Sequence, residues 1–137
     1  GAFLEEAGAR RVIRVRKIAE TKASGAPLTI VASRSHAGER MPALLARIEK
    51  EFGAATLTSV GSSLKICMVA EGKADHYPRL GPTCEWDTAA AQAVVEAAGG
   101  SVTTLDGLPL RYNERDTLLN PHFLVYGDAS RPWHKLF

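Results

Sequence analysis

Glu85-Trp86-Asp87-Thr88-Ala89-Ala90-Ala91-Gln92-Ala93-Val94-Val95-Glu96-Ala97-Ala98-Gly99-Gly100 is the stretch whose reading decides the fold. Its apolar positions 86, 89, 90, 93, 94 and 97 recur at helical spacing. That pattern predicts a helix with an apolar face wide enough to be buried on more than one side. Gly99-Gly100 ends it, since glycine takes the left-handed conformation that many helix C-termini need. Asp87 lies in the first turn, and two readings of it stand. A carboxylate there suits the helix dipole and accepts from free backbone N–H groups. A carboxylate at the mouth of a small-residue helix can equally hold a hard metal ion.

Upstream of this helix the pattern alternates between strand and helix. Leu28-Thr29-Ile30-Val31-Ala32 is a short apolar run suited to a buried strand. Ser33-Arg34-Ser35-His36 follows at its carboxyl end, before a helix expected from about Glu39 to Phe52. Ligands of open α/β sheets bind outside such strand ends, so this loop is a candidate for substrate contact. His36 is either a loop histidine at the start of a helix or such a contact. Metal ligation by His36 is not expected, because no second His or Cys stands at ligand spacing. Residues 55–60 predict the next strand, running through Gly61-Ser62-Ser63 into a helix from about Leu64 to Glu71. Strand, small-residue turn and helix start together form an anion site, to which Lys65 can add charge, although Ser-Ser is also an ordinary N-cap.

Gly72-Lys73-Ala74-Asp75 turns the chain into a strand through His76-Tyr77, closed by Arg79 and broken by Pro78, Gly81 and Pro82. Arg79 stands eight residues before Asp87, so both can reach one cleft. Arginine grips phosphate through a planar fork of donors, although a solvated strand-end arginine looks the same in sequence. Ser101–Thr104 and Phe123–Tyr126 read as further strands, with a tight turn at Asp106-Gly107. The alternation predicts a single α/β domain over residues 1–137, with a mixed, five-stranded sheet and packed helices. Residues 128–137 form a tail whose apolar residues either dock back or fray.

The chain has 137 residues, 45% of them hydrophobic, and a net charge of +2, too mild to argue for nucleic acid. Residues 10–17, Arg-Arg-Val-Ile-Arg-Val-Arg-Lys, alternate from Val12 as a half-exposed strand does. Their charges make either an anion or nucleic-acid patch or a solubilised edge strand. Glu20 to Pro27 reads as a turn or linker. Cys67 and Cys84, without CxxC spacing or a leader, read as reduced thiols of a cytosolic protein. No apolar run is long enough for a membrane span. Gly1-Ala2-Phe3-Leu4 opens without an initiator methionine, as a processed product or a fragment would.

Trp86-Asp87-Thr88-Ala89-Ala90, with Glu96-Ala97-Ala98-Gly99-Gly100, resembles the second signature of the inositol-monophosphatase-like, magnesium-dependent, lithium-sensitive phosphatases. Ser33–His36, Gly61–Lys65, Ala70–Asp75, Tyr77-Pro78-Arg79 and Leu119-Asn120-Pro121 resemble its CysQ-type branch, the 3′(2′),5′-bisphosphate nucleotidases. The resemblance covers residues 10 to 127 or so. It implies the C-terminal domain of that fold, a Mg2+ cofactor, an adenosine bisphosphate nucleotide as substrate, and a role in sulfur assimilation. It also implies a cytoplasmic enzyme, free or peripheral at the inner face of the membrane. By resemblance Asp87 is a metal ligand, while His36, Ser62, Lys65 and Arg79 contact the nucleotide. The family's Glu-Glu pair and Asp-Pro-x-Asp-Gly-Thr motif do not carry over: Glu5-Glu6 lacks the context, and no Asp-Gly-Thr occurs. The expectation is therefore a C-terminal half, inactive alone, whose partner is the missing N-terminal half or a second copy. An inositol phosphate is the rival substrate. A metal-free nucleotide-binding module and, more distantly, a nucleic-acid-binding domain are the other classes.

Overall fold

The computed structural model describes residues 1–33 and 40–137. A hairpin comes first, β1 (Ala2–Glu6) paired antiparallel with β2 (Ala9–Ile13), as a separate two-stranded sheet. There follow α1 (Ile18–Ala23), β3 (Leu28–Ala32), α2 (Arg40–Phe52), β4 (Ala55–Ser59), α3 (Leu64–Ala70), β5 (His76–Arg79) and α4 (Glu85–Ala97). Then come β6 (Ser101–Thr104), β7 (Phe123–Tyr126) and a closing 3-10 turn, Trp133–Leu136. The main sheet has five strands in the order β4-β3-β5-β7-β6. β4, β3 and β5 run parallel, while β7 pairs antiparallel with both β5 and β6. The expected mixed sheet is present.

Both faces of this sheet are covered, because its central strands are apolar on both sides. Leu28, Ile30 and Ala32 of β3, with Leu124 and Tyr126 of β7, meet Met41, Leu44, Ile48 and Phe52 of α2. Those α2 positions form one helical stripe. Val31, Phe123 and Val125 point the other way, to Ile66, Val69 and Ala70 of α3 and to Ala91, Val95 and Ala98 at α4. Trp133 is fully buried against Phe52, with ring centroids 4.6 Å apart, so the tail is docked rather than frayed.

Three local readings are corrected. The strand expected from Val12 onward is the second arm of a hairpin that begins at Ala2. Ala7 and Gly8 turn it with φ of 50° and 77°. The first half of the stretch expected to be a linker, from Glu20, belongs to α1, whose start is fixed by Glu20 Oε2 accepting from the Lys17 N–H at 2.7 Å. The third correction concerns α4. Its buried residues are Thr88, Ala91, Gln92 and Val95, whereas the stripe 86, 89, 90, 93, 94 and 97 faces outward. Two polar residues, Thr88 and Gln92, disguise the buried face in the sequence. Gln92 Nε2 donates to the Leu110 carbonyl at 3.0 Å, and Thr88 is held in a hydroxyl network. Satisfied in this way, polar side chains can be buried at modest cost.

Asp75 ties the chain's front to the sheet. It is 2% exposed and accepts from Arg16 Nε (2.8 Å), Arg16 Nη2 (2.5 Å), Thr21 Oγ1 (3.0 Å) and the Thr29 N–H (2.7 Å). The basic strand is otherwise partly neutralised within the chain, by Arg14–Glu20 at 2.8 Å and Arg11–Glu71 at 3.8 Å. Arg16 passes close to Gly127, where a Cβ would lie 2.8 Å from the Arg16 carbonyl oxygen.

Candidate functional site

A cavity of about 440 Å³ opens at the carboxyl ends of β3 and β5, between the first turns of α3 and α4. Ser62, Lys65, Arg79 and Asp87 all line it, and Ser33 marks its edge beside β3. His36 lies outside the described residues. The two parallel strands end here while β7 runs the other way, which leaves a crevice for side chains from the adjoining loops.

Asp87 sits at the third position of α4, and its Oδ2 accepts from the Cys84 N–H at 2.8 Å. The helix-capping reading is thus realised. It leaves Oδ1 of an exposed carboxylate at the cavity mouth. The α4 start is held from behind by Asn120. Its Nδ2 lies 3.0 Å from the Cys84 carbonyl, 3.2 Å from Thr83 Oγ1 and 2.9 Å from Thr88 Oγ1. Tyr112 OH donates to Gln92 Oε1 and lies 3.0 Å from Thr88 Oγ1. At its far end α4 closes with Gly99 at φ 94°, the Gly100 N–H reaching the Val95 carbonyl at 2.8 Å. This double glycine ends the helix as the sequence predicts.

Lys65 departs from expectation. Rather than projecting freely, it is 2% exposed, and Nζ donates to the Val60 carbonyl at 2.9 Å while lying 5.3 Å above the Tyr77 ring. Burial, and secondarily the charge of Arg79, pull its pKa below the usual lysine value. Its remaining donor capacity faces the cavity that it lines. Ser62 adopts φ 56°, a left-handed backbone uncommon outside glycine. The helix after it is only seven residues long, and Ser63 makes no side-chain cap bond. The anion-site geometry read from Gly61-Ser62-Ser63 therefore rests on the side chains more than on a helix dipole.

Arg79 donates from Nη2 to the Pro82 carbonyl at 3.0 Å, which turns its guanidinium along the cavity wall. Its Nε is buried without a partner among the described residues. Tyr77 and Trp86, which the sequence offers as parts of motifs but not as site residues, also line the cavity. Tyr77 packs edge-on against Phe123 at 5.9 Å, and burial raises its phenol pKa. An aromatic in a short strand reads as core, so only its place beside Arg79 distinguishes it.

The described residues contain no group of three or more His, Cys, Asp or Glu side chains able to hold a metal ion. Asp87 alone, with one oxygen already engaged, does not make a magnesium site, since that ion needs several oxygens in near-octahedral array. The lining otherwise carries two cations, Lys65 and Arg79, and hydroxyls from Ser62, Ser63, Thr83 and Thr88. That set suits an anionic, hydroxyl-bearing ligand. No helix among the described residues is long and apolar enough to cross a membrane.

Comparison with known proteins finds relatives of this chain. Two relatives, the 3′(2′),5′-bisphosphate nucleotidases CysQ of Shigella flexneri and Escherichia coli K12, are each 46% identical over 124 residues. Each match covers 90% of this chain and 46% of the relative. The crystal structure of CysQ from Bacteroides thetaiotaomicron superposes with a TM-score of 0.65 at 49% identity, over 74% of this chain and 37% of that one. An inositol monophosphatase from Anabaena, at 22% identity and a TM-score of 0.61, shares the fold over 98% of this chain and 51% of its own. The chain thus spans about half the length of the curated relatives it matches. The inositol monophosphatase family model matches residues 1–131, and the chain belongs to that family.

Proposed function

We propose that this chain is the nucleotide-recognising, C-terminal part of a magnesium-dependent 3′(2′),5′-bisphosphate nucleotidase of the cytoplasm. The whole enzyme would convert 3′-phosphoadenosine 5′-phosphate to AMP and phosphate. The observation that carries the reading is the 46% identity to CysQ relatives across 90% of this chain. The cation-lined cavity supports it. In this reading the Arg79 fork and the Lys65 ammonium take the phosphate that is not cleaved. Ser62 meets the ribose or that same phosphate, and His36 approaches the nucleotide. Asp87 gives one oxygen to a magnesium site whose other ligands belong to the part of the family fold that this chain does not span.

Alone, the chain is expected to release no phosphate from 3′-phosphoadenosine 5′-phosphate with magnesium. Turnover by this chain that disappears in Asp87→Asn would overturn the half-enzyme reading. A metal-free nucleotide-binding module is the second reading, favoured by the absence of a three-ligand cluster among the described residues. AMP titration with magnesium and with EDTA separates the two. Affinity that rises with magnesium supports the nucleotidase part, and tight binding indifferent to EDTA supports the module.

A further inference from the structure

Lys65 and Arg79 share one cavity, and among the described residues no carboxylate pairs with either. Lys65 is 2% exposed, so its ammonium has given up nearly all contact with water. Burial first, and then the charge of Arg79, disfavours its charged form. The cavity wall must therefore hold two cations that neither water nor a carboxylate steadies. Tyr77 meets both. Its ring lies under Lys65 Nζ, 5.3 Å from nitrogen to centroid, a range at which an aromatic face attracts a cation. Its hydroxyl is within hydrogen-bonding reach of the Arg79 guanidinium. Residues two apart on a strand share a face, and β5 carries this pair on the face that meets Phe123. The ring is fixed there, 4% exposed and edge-on to Phe123 at 5.9 Å. Phenylalanine would fill the same place without burying a hydroxyl, so the phenol answers to its polar partner and not to packing. The remaining support of each cation is a backbone carbonyl, Val60 at 2.9 Å for Lys65 and Pro82 at 3.0 Å for Arg79. Both groups keep spare donors for a ligand.

We propose that Tyr77 is a positioning residue for anion binding in this cavity. Its ring carries the Lys65 ammonium and its hydroxyl orients the Arg79 guanidinium, so that both converge on one phosphate before the ligand arrives. Ordering two long, rotamer-rich side chains in advance removes that cost from the binding step. Tyr77 acts through the two cations rather than on the phosphate itself. The inference deepens, and rests on, the reading that this cavity takes the uncleaved phosphate of a nucleotide.

Two variants separate the two halves of this role: Tyr77→Phe keeps the ring, and Tyr77→Leu removes it. In isothermal calorimetry with AMP, Tyr77→Phe should weaken binding about tenfold, as losing a hydrogen bond to a charged group does. Tyr77→Leu should weaken it about threefold or more beyond that. In an Arg79→Lys background, Tyr77→Phe should cost less than about twofold, because the hydroxyl then has no fork to orient. A residue that only supported the fold would cost the same in both backgrounds. A second readout needs no nucleotide. In NMR spectra of the ligand-free chain, the Lys65 Hε resonances should lie upfield, under the ring current, in the native chain and in Tyr77→Phe. They should return to ordinary positions in Tyr77→Leu. Ordinary Lys65 resonances in the native chain overturn the proposal, as do equal losses of affinity from Tyr77→Phe in both backgrounds. Upfield Lys65 resonances in a chain that does not bind AMP count against the nucleotide reading and not against the seating of the cation on Tyr77.

Discussion

A separable share of this protein's loss of stability on acidification should come from one residue, His76. The imidazole is fully buried in a stack of rings, 4.4 Å from Trp133, 6.0 Å from Phe137 and 6.3 Å from Tyr126. Neither ring nitrogen has a hydrogen-bond partner among the described residues. Burial pushes its pKa down to about 3, against about 6.5 in an unfolded chain. Between those values the unfolded chain holds the proton and the folded one does not, so stability falls as pH drops through that window. The linkage amounts to about 5 kcal/mol in full, and to about 3 kcal/mol by pH 4.5. Urea unfolding followed by tryptophan fluorescence, with Trp133 as the local reporter, gives the stability at pH 7, 6, 5 and 4.5. His76→Phe keeps the stack and removes the titration, so carboxylates contribute equally to both curves. The variant should lose about 3 kcal/mol less than the native chain over this range. Parallel curves for the two proteins would refute the reasoning.

Other perturbations have expected outcomes as well. Asp75→Asn strips the charge that Arg16 faces and should cost about 3–5 kcal/mol in urea unfolding, as breaking a buried pair does; a loss within experimental error would mean that water replaces the carboxylate. Gly127→Ala sets a methyl 2.8 Å from the Arg16 carbonyl oxygen and should cost about 1–3 kcal/mol. Trp133→Ala should destabilise by about 3–5 kcal/mol, whereas an undocked tail would tolerate it. Arg79→Lys replaces a fork by a point charge and should weaken AMP binding about tenfold by isothermal calorimetry; unchanged affinity would remove Arg79 from the binding role.

The regular elements of the main sheet were legible because their signals are local. Leu28–Ala32 has the continuous apolar run of a strand buried on both faces, and α2 repeats its buried residues at helical spacing. The hairpin and α1 were not. β1 offers only Phe3 and Leu4 as strand signals, and α1 holds together through Glu20 and through Asp128 Oδ2, which accepts from the Ile18 N–H at 3.0 Å across 110 residues. The face of α4 was misread for a related reason. Spacing identifies a helix but cannot say which stripe meets the sheet when Thr88 and Gln92 find partners inside. At the site, Ser62, Lys65, Arg79 and Asp87 were named from family motifs, and the structure gathers them on one cavity. The engagement of Lys65 with the Val60 carbonyl has no sequence signal, since it depends on where the chain lies five residues earlier.

β7 lies between β5 and β6, although it follows both in sequence. Until Phe123–Tyr126 emerges from the ribosome, β6 has no neighbour in the sheet and both layers of the interior lack a wall. Folding of the sheet must then wait until Phe123–Tyr126 has been made, with the earlier helices exposing apolar surface in the meantime. A nick or premature stop just before Phe123 would leave a chain with no cooperative fold.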